Sequence, residues 1–471
     1  MVLMIWSLAH MLVCLACTSL GQQIQPWARQ SQHTLFLQSK LRQGADPLPA
    51  SQQPSGRNGK PTKLTAASTS SPVQKLARLL LTSNPAAALK PSGESSSTSY
   101  YGSYSGDRFG GGIGQRVGVD ESRALPLFGT GVTRVALFSE THENLRNWAT
   151  EENWKKATEV HKKAYFTRTE NLAQEAMQQR VRSHYTSVQS YVAKAPIKAA
   201  LFRLDNKEEF TQRCSICKLK SLPSLVSGKF DEKSEPCIVD FANKRLGGGW
   251  LGYGMVQEEI MFTERPDYGA LCARSLLEMP DPVAEPLASP FSMHQDEAWI
   301  LSGAPAFAHV PWYGRSPPDA ADRVELLQPA EDCDTCPTIV AIDAIKSDFA
   351  SYQREHLDMM LVKAYTGFVA ASSDPDVGGH KRLSTGSWGC GAFYNNERVM
   401  FVIQTLAANL AGVHLDYHVL GDGYRLAPAF AILENALVKK LSVSQVLDEL
   451  TELCASDPAW KSKYKPRQSK L

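Results

Sequence analysis

Three short stretches hold the residue types that bond-breaking chemistry needs. Asp240-Phe-Ala-Asn243 closes an apolar run, Gly247-Gly248-Gly249 is followed by Gln257-Glu258-Glu259, and Gly386-Ser-Trp-Gly389-Cys390-Gly391-Ala392-Phe393 precedes an amphipathic stretch. Glycines let the backbone approach a ligand closely, and a glycine turn that opens a helix offers N–H groups and the positive dipole end to phosphate. Two such loops suit a diphosphate. Burial and like-charge repulsion in an adjacent Glu-Glu pair would raise one carboxyl into the range of a general acid. Neighbouring side chains leave a helix about 100° apart, so only one carboxylate is expected at a scissile bond, with the other on a substrate hydroxyl. The alternative is a solvated acidic pair at a helix start, where the dipole favours carboxylates. Cys390 has no His nearby in sequence to activate it and reads as a small packed residue.

Taken in order, DFAN, GGGWLGYGMVQEE and GSWGCGAF resemble the poly(ADP-ribose) glycohydrolase family, whose signature is a glycine triplet followed by Gln-Glu-Glu on a macrodomain. Ile339–Ala344, Lys363–Phe368 and Gly421-Asp422 extend the similarity, which covers roughly Pro236 to Leu453. The resemblance implies hydrolysis of the ribose–ribose O-glycosidic bonds of poly(ADP-ribose), free or on modified proteins, to release ADP-ribose. Carried over by position, Glu259 is the general acid and then the base that activates water. Glu258 binds ribose hydroxyls, Gln257 orients the sugar, and Asp240 and Asn243 brace the glutamates and contact the adenine end. The diphosphate is expected on backbone N–H groups of Gly389, Cys390, Gly391, Ala392 and Phe393 and of the triplet Gly247, Gly248 and Gly249. Tyr313 matches a tyrosine that contacts ADP-ribose. No second carboxylate is available as nucleophile, which favours an oxocarbenium species stabilised by the substrate's own diphosphate over a two-carboxylate scheme. Neither metal nor cofactor is called for. Ser387 stands where the family often has Asn and Leu420 where it often has an aromatic residue, and Pro280, Pro282, Pro286 and Pro290 mark extra loop length. A reader macrodomain without catalysis, or a hydrolase of terminal or mono-ADP-ribose, are the alternatives.

The elements that must position these residues are short β-rich runs alternating with amphipathic helices, the pattern of a layered α/β sheet. Strands are expected at Cys237–Phe241, Ala298–Ser302, Thr338–Asp343, Arg382–Gly386 and Leu415–Leu420, and helices at Tyr352–Phe368, Asn396–Ala411, Ala427–Leu437 and Ser444–Cys454. Each chemical stretch then follows a strand, where open α/β sheets collect ligands. The fold class is α/β, a macrodomain-like mixed sheet flanked by helices, at 236–454. A helical accessory region without chemistry of its own is expected at 126–235, since Ala173, Met177, Val181, Tyr185, Val188 and Val192 recur at helical spacing. A basic tail that frays is expected at 455–471.

With 471 residues, 43% apolar and 21% charged, the chain is too long for a single small module and is neither collagenous, wholly disordered nor a multi-span membrane protein. Its net charge of +2 averages unlike parts: residues 22–125 hold 12 Lys/Arg against 5 Asp/Glu, and 126–471 hold 38 against 43. Residues 22–125 read as a basic low-complexity linker, either solvated or a tether for a polyanion. Residues 1–21, free of Asp, Glu, Lys and Arg, read as a secretory signal peptide, which implies a secreted or endomembrane enzyme. A signal anchor or a misassigned start codon is the alternative, with the nucleus or cytoplasm usual for the family. No later segment has the length to span a bilayer, duplex DNA is not expected to bind, and a monomer is expected. Cys214/Cys217 and Cys333/Cys336 form two CxxC pairs that suit disulfides, a four-thiolate zinc site or free thiols.

Overall fold

The structure, a computed structural model, describes residues 124–165, 172–188, 195–230, 235–252, 254–279, 289, 291–329, 336–347, 351–421 and 423–463. The leader, the linker through residue 123, the four loop prolines, Cys333 and Asp422 lie outside the described residues.

The strands in chain order are β1 (Leu125–Leu127), β2 (Val132–Glu140), β3 (Ile197–Leu204), β4 (Ser224–Ser227), β5 (Cys237–Ala242), β6 (Glu297–Ser302), β7 (Ala308–His309), β8 (Glu325–Leu326), β9 (Thr338–Asp343), β10 (Arg382–Thr385) and β11 (His414–Val419). The helices are α1 (His142–Trp148), α2 (Glu151–Tyr165), α3 (Leu172–Ser187), α4 (Lys207–Ile216), α5 (Gln257–Glu264), α6 (Pro266–Leu277), the short α7 (Ala320–Arg323), α8 (Arg354–Ser373), α9 (Glu397–Ala411), α10 (Ala427–Lys439) and α11 (Val443–Ser456). Nine strands form one sheet in the order β1-β2-β3-β6-β9-β5-β10-β11-β4. The half from β9 through β5, β10 and β11 to β4 is parallel, and the half from β1 to the β6–β9 pairing is antiparallel.

Both faces are covered, as near-continuous apolar strands such as Cys237-Ile-Val require. Successive residues alternate between two cores: Val239, Ile300 and Val340 face α8 and α9, whereas Ile238, Trp299 and Ile339 face a layer built from α1, α2, α3, α5 and α6. The long α8 and α9 are buried along most of their length. α9 begins at the cap Asn396, whose side chain accepts the Arg398 N–H, and ends on Gly412 at φ +71°, the left-handed cap that glycine adopts without strain.

The expected strands and helices from Cys237 onward are present to within a few residues. The accessory region is not all-helical. It also supplies β1 to β4, and β3 lies at the centre of the antiparallel half between β2 and β6. Helical spacing in one stretch says nothing about pairings closed over tens of residues, which is why the strands were missed. The described part of the tail, through residue 463, has more order than expected: Trp460 is buried, and the Asn396 side-chain amide donates to the carbonyls of Ala459 and Lys461 at 3.0 and 2.8 Å. Cys214 and Cys217 are free thiols, whereas Cys336 is disulfide-bonded. The two pairs therefore do not share a four-thiolate zinc site. No helix among the described residues is long and apolar enough to cross a membrane.

Candidate active site

Asp240 is the fourth residue of β5 and projects on the same side as Ile238, toward α5. It is completely buried, and neither carboxyl oxygen has a hydrogen-bond partner among the described residues. Burial first, and the charge of Glu259 second, push its carboxyl well above the usual carboxylate range. Past β5 the chain turns through Asn243 to Gly249, loops to Val256 and enters α5, whose first three residues are Gln257, Glu258 and Glu259.

The turn is shaped around the two glutamates. Glu258 accepts the Asn243 N–H at 2.8 Å and the Gly247 N–H at 2.7 Å. Glu259 accepts the Gly249 N–H and the Val256 N–H, each at 3.0 Å, the latter closing the first turn of its own helix. A methyl group on Gly248, at φ +52°, would stand 2.5 Å from Glu258 Oε2 and 2.7 Å from Glu259 Oε1. The carboxylates therefore converge on one backbone position, although they were expected to diverge. Divergence holds at Cβ, but two further bonds and a glycine between them let both carboxylates reach the same loop. The same contact decides the solvated-pair alternative, since Glu258 is 2% and Glu259 7% exposed. Burial, then the charges of Asp240 and Glu259, push Glu258 well above the usual range. Burial also raises Glu259, against the lowering effect of its backbone N–H bonds.

Gln257 does not present its amide to a cleft. Its Oε1 accepts the Phe241 N–H at 2.7 Å and its Nε2 donates to the Val239 carbonyl at 3.0 Å, tying α5 to β5. Nor is the glycine triplet open to a diphosphate: its N–H groups serve Glu258, the Arg245 carbonyl and Glu259. Asn243 meets the site through its backbone, while its side-chain oxygen accepts the Arg245 N–H at 3.2 Å.

The second glycine loop follows β10. Trp388 is buried beneath it and donates to the Ile342 carbonyl at 2.9 Å. Gly389, at φ +68°, fits against Ala344, where an added Cβ would meet the Ala344 methyl at 2.4 Å. Cys390 is buried, with burial pushing its thiol up, which agrees with a packed residue. The backbone N–H groups of Gly389, Gly391, Ala392 and Phe393 take no acceptor from the described residues, and Gly391 and Ala392 are exposed, whereas the Cys390 N–H, expected on the diphosphate, donates to the Ser387 carbonyl at 3.1 Å as the loop turns back on itself. Ser387 donates to Glu397 at 2.6 Å and Glu397 pairs with Arg425 at 2.9 Å, fixing the loop to the start of α9.

A third segment flanks the carboxylates. Val310 N–H binds the Glu264 carboxylate and Gly314 N–H binds the Met255 carbonyl, each at 2.7 Å, which lays residues 310–314 along α5. Tyr313 stays largely exposed, and burial and the nearby Glu259 charge raise its phenol, opposed by the Gln257 backbone N–H. Leu420 is also exposed, at the end of β11. Among the described residues no group of three or more His, Cys, Asp and Glu side chains could hold a metal ion.

Gly254 was not anticipated: a Cβ there would lie 2.5 Å from Glu259 Cδ. Its place between the triplet and QEE was the available signal. Also missed were Gln174 and Gln178 of α3, whose amides donate to the carbonyls of Gly254 and Trp250.

Residues 209–425 match the family described as "Poly(ADP-ribose) glycohydrolase, Macro domain fold". This segment is a poly(ADP-ribose) glycohydrolase family domain. Among curated relatives, "Poly(ADP-ribose) glycohydrolase 1" of Caenorhabditis elegans is 30% identical over 272 residues, covering 53% of this chain and 32% of that protein. "Poly(ADP-ribose) glycohydrolase 2" of the same organism is 29% identical over 194 residues, covering 39% and 37%. The chain thus spans about a third of the length of these relatives. The solved poly(ADP-ribose) glycohydrolase from Thermomonospora curvata is 17% identical, covering 62% of this chain and 100% of that one with a TM-score of 0.32. The fold of this family domain is therefore read from its own sheet.

Proposed function

We propose that this chain hydrolyses the ribose–ribose O-glycosidic bonds of poly(ADP-ribose) and releases ADP-ribose. The observation that carries the reading is the convergence of two buried carboxyls, both raised above their usual range, on a side-chain-free backbone position. A carboxyl that keeps its proton near neutral pH can protonate a leaving ribose oxygen. Glu259 takes that role and then, as carboxylate, removes a proton from the attacking water. Glu258, gripped by two backbone N–H groups, holds a ribose hydroxyl beside it. Asp240 touches neither N–H nor cation among the described residues; its charge raises the Glu258 carboxyl beside the acid, which makes a second negative charge in the site costly. Gln257 and Asn243 hold α5 and the loop in place, and Tyr313 closes the sugar from the side. The diphosphate lies on the N–H groups of Gly389, Gly391, Ala392 and Phe393, where its charge opposes the positive charge developing on the ribose.

Incubating the full chain with long poly(ADP-ribose) and following free ADP-ribose tests the proposal, with a mono-ADP-ribosylated protein as second substrate. Release from polymer supports it. Binding of polymer without release would make the domain a reader, and release from the mono-modified protein alone would make it a terminal hydrolase.

A further inference from the structure

The accessory helix α3 packs with a stripe that includes Met177, Val181 and Tyr185, but Gln174 and Gln178 are buried with them, at 0% and 5% exposure. A buried amide is costly unless hydrogen-bonded, and both amides spend their N–H groups on one loop. Gln174 Nε2 donates to the Gly254 carbonyl at 2.7 Å and Gln178 Nε2 to the Trp250 carbonyl. That loop holds Glu259: Gly249 N–H and Val256 N–H bind its two carboxyl oxygens, and Gly254 lies against its Cδ. Trp250 directly follows Gly249, and Gly254 is two residues from Val256.

The grip is itself held in one orientation. Arg182 Nη2 donates to Gln178 Oε1 at 3.4 Å, so the Gln178 amide turns its N–H toward Trp250. The Arg182 guanidinium lies 4.7 Å from the Trp154 ring centre and 5.4 Å from that of Trp250, a cation–π arrangement that joins α2, α3 and the loop. Trp250 in turn supports the site, since its ring lies where a Cβ on Gly247 or Gly269 would fall.

We propose that Gln174 and Gln178 are positioning residues for the reaction: from outside the glycine and Gln-Glu-Glu stretches they fix the Gly249–Val256 loop, so that its two N–H groups hold the Glu259 carboxyl at the reacting bond. The inference rests on Glu259 as the acid. A loosened loop lowers the fraction of molecules with the acid in place, so kcat falls, while the Gly389–Phe393 loop, which neither amide touches, leaves KM unchanged. The two N–H bonds also lower the Glu259 pKa; weakening them moves the pH at which the acid is lost upward.

The test uses Gln174→Met and Gln178→Met in the full chain, near in volume but unable to donate. Initial rates on poly(ADP-ribose) are followed across pH, with folded fraction and Tm from circular dichroism. The expected result is a drop in kcat of at least tenfold per folded molecule, KM within twofold of wild type, and an alkaline limb displaced to higher pH. A lowered Tm with kcat per folded molecule within twofold and an unmoved pH profile would assign the amides to stability alone and overturn the proposal. Should Gln178→Met fail to fold, Gln174→Met decides by the same criteria, because it spares the contact with Arg182. Wild-type protein that releases no ADP-ribose overturns the function itself, and a fully active Glu259→Gln overturns the acid; neither outcome resembles failure of the positioning role.

Discussion

Gly248→Ala puts the shape of the site under direct strain. The new methyl would begin 2.5 Å from Glu258 Oε2 and 2.7 Å from Glu259 Oε1. Reaching an ordinary 3.4 Å contact needs shifts of about 0.9 and 0.7 Å. Neither carboxylate can swing away freely, because each is held by two backbone N–H bonds. Displacing a catalytic group by about 1 Å costs on the order of 10²-fold in rate, or about 2.7 kcal/mol of barrier. The backbone contributes a separate effect, since φ is +52° and an L-residue in that region is strained by about 1–2 kcal/mol. A loss of that size lowers Tm by a few degrees in a domain of this size. The assay pairs initial rates of ADP-ribose release from polymer with thermal unfolding of the same preparation. The expected outcome is kcat down about 100-fold with the cooperative transition retained. A variant within threefold of wild-type kcat would refute the convergence of the carboxylates. Loss of the transition itself would show that the glycine serves folding before chemistry.

Three further outcomes follow from the same geometry. Asp240→Asn bears on stability against pH: the folded Asp240 pKa is raised, so its contribution is fully present below the ordinary Asp value of about 4 and is lost as pH rises toward the raised value. The variant should match wild type in Tm near pH 4 and exceed it increasingly toward pH 8; an equal difference at both ends would contradict a buried proton. Tyr313→Ala should raise KM for polymer about tenfold, about 1.4 kcal/mol, with kcat preserved, because the proposal gives the exposed ring a place beside the sugar and no proton to transfer; a loss confined to kcat would remove it from binding. Gly389→Ala should weaken ADP-ribose binding in calorimetry at least tenfold, since the methyl clashes with Ala344 and displaces the N–H groups proposed to receive phosphate; unchanged affinity would place the diphosphate elsewhere.

What could be read from the sequence was local. Runs such as Cys237-Ile-Val-Asp-Phe and Thr338-Ile-Val-Ala-Ile have the apolar continuity of strands buried on both faces, and the stripe on Asn396–Ala411 has the period of a helix. Gly-Gly-Gly and Gln-Glu-Glu marked the candidate site by residue type and order, and the fold brings them together. The rest depended on partners distant in sequence. Nothing near Val132–Glu140 announces that it pairs with Ile197–Leu204, and β3 in turn with β6. The triplet's N–H groups were assigned to phosphate because their real acceptors, Glu258 and Glu259, meet them only after the loop has closed. Gln257 was assigned to the sugar for the same reason, since its partners are the backbone of β5. Gln174 and Gln178 did leave a trace: they sit beside Met177 and Val181 on the face whose spacing marked it as buried, where an amide needs a partner.

The most direct measurement compares wild type with Glu259→Gln on long poly(ADP-ribose), recording bound polymer and released ADP-ribose in the same reaction. The substitution removes the transferable proton and keeps one of the two side-chain oxygens that accept backbone N–H bonds, giving up the other. Loss of general acid–base catalysis is worth about 10²- to 10⁴-fold, so release should fall at least 100-fold while polymer binding stays within threefold. Release by Glu259→Gln at the wild-type rate would contradict the account at its centre.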